Sequence, residues 1–368
     1  MKVGIITHHW VPNFGANLQA LATFNLLKNM GHEPIIINYR PQQVVELYEG
    51  LIHEHQLNVH EEFLDKFQNG TRLCTTSEEV ERLNEEYSFD YLISGSDAVF
   101  RLNHNSDRED KTFPNPFWLT FANSGQKKLF FSVSSMGSDF SKLKPKTKGA
   151  IVKALKDSKI LVRDRWTHNQ LLSLDNSLNV DQSIDPVFLL NKNFKIPDEY
   201  SFKSTEKYIL LNLYSNMFSE NWIKKFVKIC NLKGYKVYVF PNPEGNYVGK
   251  DITDGTFELP IHPLTWYSIL QKSSGYLGVR FHPIVTSISN KIPFLSIDTY
   301  QKNLINRMSS KTFDICKKVG AKKYCISPLR RRFLSPQRAL KLLLDNGLDY
   351  DFIDSEINKI EKIFESIK

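Results

Sequence analysis

The stretch GYLGVRFHPIVTSISNKIPFLSID, Gly275 to Asp298, decides how the chain is read. Apolar runs at its two ends have the length of buried strands, and the segment between them has the spacing of a helix, so it reads as strand, abrupt turn, helix, strand. The turn holds Arg280 and His282 with Pro283 directly behind them. A connection that only reversed the chain would be served by Gly, Asn or Asp. Pro283 suits the first position of the helix, where a missing N–H costs nothing, and His282 then falls in the cap region. The turn therefore combines a two-pronged cation, an imidazole whose ordinary pKa lies near neutral pH and a helix N-terminus. That combination fits an anion carrying phosphate or carboxylate. A structural cap is the alternative.

Working outward, the same alternation runs along the whole chain. KVGIIT, EPIIINY, DYLISGS, KLFFSVSS and KILVRD in the first half, and KYILLNLY, YKVYVFP, GYLGVR and PFLSID in the second, read as buried strands of mostly parallel sheets. Helical runs separate them, such as ANLQALATFNLLKNMGH, SENWIKKFVKICNLKG and QKNLINRMSSKTFDICKKVG. The polar, aperiodic stretch LLNKNFKIPDEYSFKSTEK is the best linker. The expected organisation is an α/β domain over 1–190, a linker over 191–206 and a second α/β domain over 207–348. A docking helix over 349–368 follows, with Phe352, Ile353, Ile357, Ile360 and Phe364 at helical spacing. The two domains would face each other across a cleft.

A length of 368 residues is more than one core usually serves, which agrees with two domains. No segment approaches the roughly 18 uninterrupted apolar residues of a membrane span, and MKVGIIT runs straight into a strand, so a cytoplasmic protein is expected. Cys74, Cys230, Cys316 and Cys325 are too widely spaced for a zinc module and read as reduced thiols. The net charge of +8 points to anionic partners: phosphorylated metabolites, nucleic acid or an anionic membrane surface. Its clearest runs are KLKPKTK and KKYCISPLRRRF, Lys322 to Phe333. No helix-turn-helix, zinc-finger or RNP signature accompanies them, so nucleic acid is not expected.

In open α/β sheets ligands bind beyond the carboxyl ends of the strands. After the first strand, THHWVPNFGANLQ places Asn13, Gly15, Asn17 and Gln19 near the start of a helix; the dinucleotide pattern G-x-G-x-x-G is absent. The adjacent His8 and His9 lack an accompanying carboxylate or cysteine, and no metal is assigned. After the third strand, SGSDAVF offers Gly95, Ser96 and Asp97, a helix cap or a site carboxylate. KILVRD leads to Arg163 and Arg165, site cations or surface ion-pair partners.

These motifs, in this order, carry a resemblance. NFGANLQALATFNLLKNMGHEPIIINYRP, FDYLISGSDAVF, FFSVSSMG with its Ser134, VRDRWTHNQLL, DPVFLL and GVRFHPIVTSISNKIPFLSI make the chain similar to the polysaccharide pyruvyl transferases from Lys2 to about Gly320. The resemblance implies two Rossmann-like domains of the B-type glycosyltransferase architecture. It implies transfer of the enolpyruvyl unit of phosphoenolpyruvate to two sugar hydroxyls as a ketal, with release of phosphate and no further cofactor. It implies a saccharide acceptor, free or lipid-linked. If the acceptor hangs from a lipid diphosphate, the basic run Lys322 to Arg332 is expected to make peripheral contact with an anionic membrane surface. Arg280 and His282 would meet the donor, with Arg163 nearby and Asp97 in the GSD turn. Ala98 and Phe100 stand where relatives often have Gln and Trp, and Pro283 where they have Gly or Ser. A sugar-nucleotide-dependent glycosyltransferase of the same architecture is the alternative.

Overall fold

A computed structural model describes residues 1–103, 105–245, 247–299, 310–345, 347–348 and 350–367. Two parallel sheets form the frame. The first contains β1 (Lys2–Ile6), β2 (Glu33–Ile36), β3 (Tyr91–Ser94), β4 (Lys127–Val133), β5 (Lys159–Val162) and β6 (Val180–Gln182), in the order β2-β1-β3-β4-β5-β6. The second contains β7 (Tyr208–Asn212), β8 (Lys236–Val239), β9 (Gly255–Thr256), β10 (Gly275–Gly278), β11 (Phe294–Ile297) and β12 (Cys325–Ile326), in the order β12-β11-β10-β7-β8-β9. Every strand pair is parallel, and helices cover the faces. Central strands such as Tyr208–Asn212 and Gly275–Gly278 are buried at every position, which is why they read as unbroken apolar runs.

Strand order reverses direction at two places, between β1 and β3 and between β7 and β10. At each reversal the connections leave to opposite sides and open a crevice at the carboxyl edge. The expected strands all form. Three more, β6, β9 and β12, lie at sheet edges with two or three residues each, too short for an apolar run to announce them.

The two domains are tied together. Gln56, buried in the helix Glu54–Phe67, donates through Nε2 to the Ile261 carbonyl at 2.9 Å and accepts from the Ile261 N–H at 2.8 Å. Phe14 stacks on Trp266 with centroids 5.1 Å apart. The helix Asp351–Glu365 returns to the first domain, where Phe364 meets Phe131 edge-on at 4.9 Å, and its Glu361 pairs with Lys192 of the linker at 2.7 Å. Part of the expected helix, at 301–309, lies outside the described residues, as does the boundary residue 349; the helix Lys311–Lys318 is the described part of the former.

Candidate active site

The carboxyl edges of the sheets face one cavity of about 370 Å³. Its first-domain wall carries His8, Asn13 and Gly15 after β1 and Asp97 after β3; its second-domain wall carries Tyr214 after β7, Arg280 to His282 after β10, and Lys311. The β10 turn is tight because Gly278 leaves no room for a side chain: a Cβ there would lie 2.2 Å from the Tyr276 hydroxyl. Arg280 is the N-cap of the helix Phe281–Ser289, and its own side chain makes no cap bond. His282 is already helical and Pro283 sits third rather than first, still within the turn whose N–H groups have no helical acceptor. The expected cap role of His282 is thereby corrected.

The site is organised around a buried guanidinium. Arg163 donates from Nη1 to Asp185 Oδ2 at 2.9 Å and from Nη2 to Asp97 Oδ1 at 3.0 Å. Its charge also lies 4.9 Å from the centroid of the Phe281 ring, and the Lys311 ammonium lies 4.7 Å from the same centroid. Burial alone would raise the Asp97 carboxyl, but Arg163 and Lys311 together outweigh it and hold it well below the ordinary carboxylate range. Burial, with Arg163 adding repulsion, brings the Lys311 ammonium down to about 8. Burial lowers His282 to about 4 against the pull of Asp185 and Asp97, so its ring is neutral near pH 7. Its buried Nε2 has no hydrogen-bond partner among the described residues; Asp185 Oδ2 lies 3.8 Å away. A buried ring nitrogen without a partner, beside two cations, is arranged to meet something that enters the cavity.

Backbone geometry aims these groups. Gly95 has φ +114, and a Cβ there would meet the Phe131 carbonyl at 2.2 Å; Asp97 follows at φ 80, a left-handed conformation that Asp tolerates better than most residues. No helix starts at this turn, so Asp97 is not a cap; it carries a carboxylate into the cleft. Gly15 answers to a different constraint. A Cβ on it would fall 1.9 Å from Cγ and 2.0 Å from Nδ1 of His282, so the imidazole lies directly on the first helical turn of the opposite domain.

The remaining expected residues divide. Asn13 lines the cavity while its Oδ1 caps the N–H groups of Gly15 and Ala16. Asn17, Gln19, Ser96 and Ser134 are buried brackets behind it. Asn17 donates to the His9 carbonyl at 2.7 Å, and its Oδ1 lies 2.7 Å from Nδ1 of His60. Gln19 links Thr7 to the Ser96 N–H. Ser96 donates to the Ser132 carbonyl, and Ser134 donates to Asp164 at 2.6 Å. Arg165 is exposed and does not line the cavity; its backbone N–H donates to Asp314 at 2.9 Å. Arg280 lines the cavity, reaches Glu244 through Nη2 at 3.3 Å and lies over Tyr214 at 5.5 Å, and its buried Nε has no hydrogen-bond partner among the described residues. The two histidines part: His8 faces the cavity, and His9 contacts Thr7 and Asn38. Among the described residues no three His, Cys, Asp or Glu side chains gather as a metal site.

Asp185 and Lys311 escape the sequence reading. Asp185 precedes a proline and caps Val187, so it looks like ordinary capping. Lys311 opens a helix, where the macrodipole disfavours a cation; that local conflict is the signal that could have found it.

Comparison with known proteins bears on this geometry. None of the curated proteins matches the chain. The UDP-GlcNAc 2-epimerase from Methanocaldococcus jannaschii superposes with a TM-score of 0.57 at 11% identity, over 99% of each chain. The S. aureus MnaA–UDP structure gives 0.50 at 13%, over 100% of this chain and 97% of that one. At such identities the likeness is one of fold, two Rossmann-like domains of the B-type glycosyltransferase architecture. The polysaccharide pyruvyl transferase model matches residues 13–300, a span that includes Asn13, Gly15, Asp97, Arg163, Asp185, Arg280 and His282. With Asp97 of one wall and Arg280 and His282 of the other inside that match, which covers most of the chain, this chain belongs to the polysaccharide pyruvyl transferase family.

Proposed function

We propose that the chain transfers the enolpyruvyl group of phosphoenolpyruvate to two hydroxyls of a sugar, forming a pyruvate ketal and releasing phosphate. The observation that carries the reading is the convergence of Arg280, His282 and Lys311 on one cavity that also holds the ionised carboxylate of Asp97. The donor bears a phosphate and a carboxylate. The Arg280 fork and the Lys311 ammonium provide separate cationic contacts for them.

The chemistry follows from charge and proton balance. Protonation of the donor's methylene carbon makes a methyl group and leaves an oxocarbenium-like centre at the neighbouring carbon, which the first hydroxyl attacks, losing its proton. Cleavage of the carbon–oxygen bond releases phosphate and regenerates the cation, which the second hydroxyl captures, losing a second proton. One of the two protons replaces the one given to carbon and the other is released with the product phosphate. Entry of an anionic donor raises the pKa of His282, so the ring that is neutral without that charge beside it can carry a proton in the complex. Asp97 cannot be the acid, because Arg163 and Lys311 keep it ionised. Its fixed negative charge stabilises the cationic centre. Arg163, held by two carboxylates, positions Asp97. Tyr48 and Tyr214, together with Met136 on the cavity wall, offer ring and apolar surface to the acceptor sugar.

The test is thermal stabilisation followed by turnover. Phosphoenolpyruvate is expected to raise the Tm while UDP-GlcNAc leaves it unchanged, and phosphate release should require both donor and saccharide. Stabilisation by the nucleotide sugar instead would favour a glycosyltransferase.

A further inference from the structure

The segment Ser327 to Leu334 presents an unusual surface. Leu329 is 60% exposed and Phe333 75% exposed, and between them stand Arg330, Arg331 and Arg332. Among the described residues no ion pair involves any of the three guanidinium groups. The segment is nevertheless firmly held. Ser327 caps the short helix Pro328–Arg331, successive turns close through Leu329, Arg330 and Arg331 carbonyls, and buried Leu334 accepts a 2.7 Å hydrogen bond from Trp222. Its apolar side chains are thus displayed by a built turn.

Topology places this turn beside the cleft. It leaves the carboxyl end of β12, which pairs in parallel with β11, which pairs in parallel with β10. The exit is therefore on the same sheet edge as Arg280, two strand spacings or about 10 Å along it. The connection after β7 leads to the same place from the other side. Tyr214 lines the cavity, and Phe218 stacks at 4.0 Å on the Trp222 that holds Leu334.

We propose that Leu329 to Phe333 form a docking site for an anionic phospholipid surface. Leu329 and Phe333 enter the boundary between headgroups and acyl chains, and the three arginines meet lipid phosphates. Charge complementarity decides the occupant: unpaired guanidinium groups around an aliphatic and an aromatic side chain match a surface that is anionic outside and apolar beneath. The net charge of +8 adds attraction at longer range. No described helix is long and apolar enough to cross a membrane, so the contact is peripheral. The inference rests on surface chemistry and not on the donor assigned above, so vesicle binding and phosphate release can fail separately.

The experiment is flotation of the full chain with vesicles of phosphatidylcholine alone and of equimolar phosphatidylcholine and phosphatidylglycerol. Binding is expected to the anionic vesicles and to weaken with salt. Replacing Arg330, Arg331 and Arg332 by Ser should weaken it roughly 100-fold. The double variant Leu329→Ser, Phe333→Ser should weaken it about tenfold or more and remove the part that survives high salt. Both variants should keep the wild-type Tm, since the side chains are at the surface. Failure of the wild type to float with anionic vesicles overturns the proposal, and so does undiminished flotation of both variants. A wild-type dimer in light scattering that the double variant converts to monomer would assign the patch to a second copy and overturn it equally.

Discussion

Gly15→Ala probes the site with a single carbon. The added Cβ would lie 1.9 Å from His282 Cγ, 2.0 Å from Nδ1 and 2.5 Å from His282 Cβ. Ordinary carbon contact begins near 3.5 Å, so about 1.5 Å must be found. It cannot come from swinging a flexible tip, because the clash includes the root of the side chain. Either the ring leaves its place or the two helices part. A displacement of about 1 Å in a reacting group costs on the order of 100-fold in rate. Overpacking costs about 1–3 kcal/mol, partly offset by about 0.5–1 kcal/mol gained when Ala replaces Gly in a helix. The net loss, up to about 2.5 kcal/mol, leaves a domain of ordinary stability folded. Phosphate release should therefore fall roughly 100-fold while the Tm moves by only a few degrees. If the loss acts through the imidazole, Gly15→Ala should cost far less in a His282→Ala background. Turnover within about twofold of wild type, or fully additive losses, would refute the contact as a functional one.

Arg280→Lys should keep the fold and the charge but weaken donor binding, seen as a raised KM for phosphoenolpyruvate. His282→Asn should lower turnover by roughly 10²–10⁴-fold with an unchanged Tm; a normally active variant removes the ring from the chemistry. Asp185→Asn leaves the buried Arg163 with one carboxylate and should destabilise by up to about 3 kcal/mol in thermal denaturation. Asp97→Asn, at a position open to the cavity, should instead cost mainly turnover. Lys311 sits at about 8, below its ordinary 10.5, so in the free enzyme its ammonium predominates only below about pH 8. Donor kcat/KM should then fall above that pH, and Lys311→Arg should abolish the decline. Between 8 and 10.5 the unfolded chain binds more protons at this lysine than the folded one, so this group makes stability rise with pH there. The fall in rate is consequently not Lys311-driven unfolding, which a Tm series across the same range checks.

Which features were legible follows from burial and distance. Strands buried on both faces, such as Tyr208–Asn212, leave uninterrupted apolar runs; the short edge strands Val180–Gln182, Gly255–Thr256 and Cys325–Ile326 leave none. Because the sheets are parallel, strand ends share one edge, and Asp97, Arg163 and Arg280 could be collected before any fold was seen. Their roles could not. Arg163 looks like a ligand-binding cation until Asp97 and Asp185, 66 and 22 residues away, close on it. Asn17 and Gln19 look like amides offered to a ligand, yet both are buried brackets. His282 has an imidazole suited to titration near neutral pH, and only its depth in the cavity brings it to about 4.

The most direct measurement is proton NMR of the saccharide recovered after incubation with phosphoenolpyruvate. A ketal and a singly attached enolpyruvyl ether add the same atoms to the sugar, so mass alone does not separate them. Phosphate release is expected together with a new methyl singlet and no vinylidene protons, because the methylene carbon is protonated and both hydroxyls are used. A product retaining vinylidene signals, or a saccharide extended by a sugar from a nucleotide donor with phosphoenolpyruvate untouched, would contradict it.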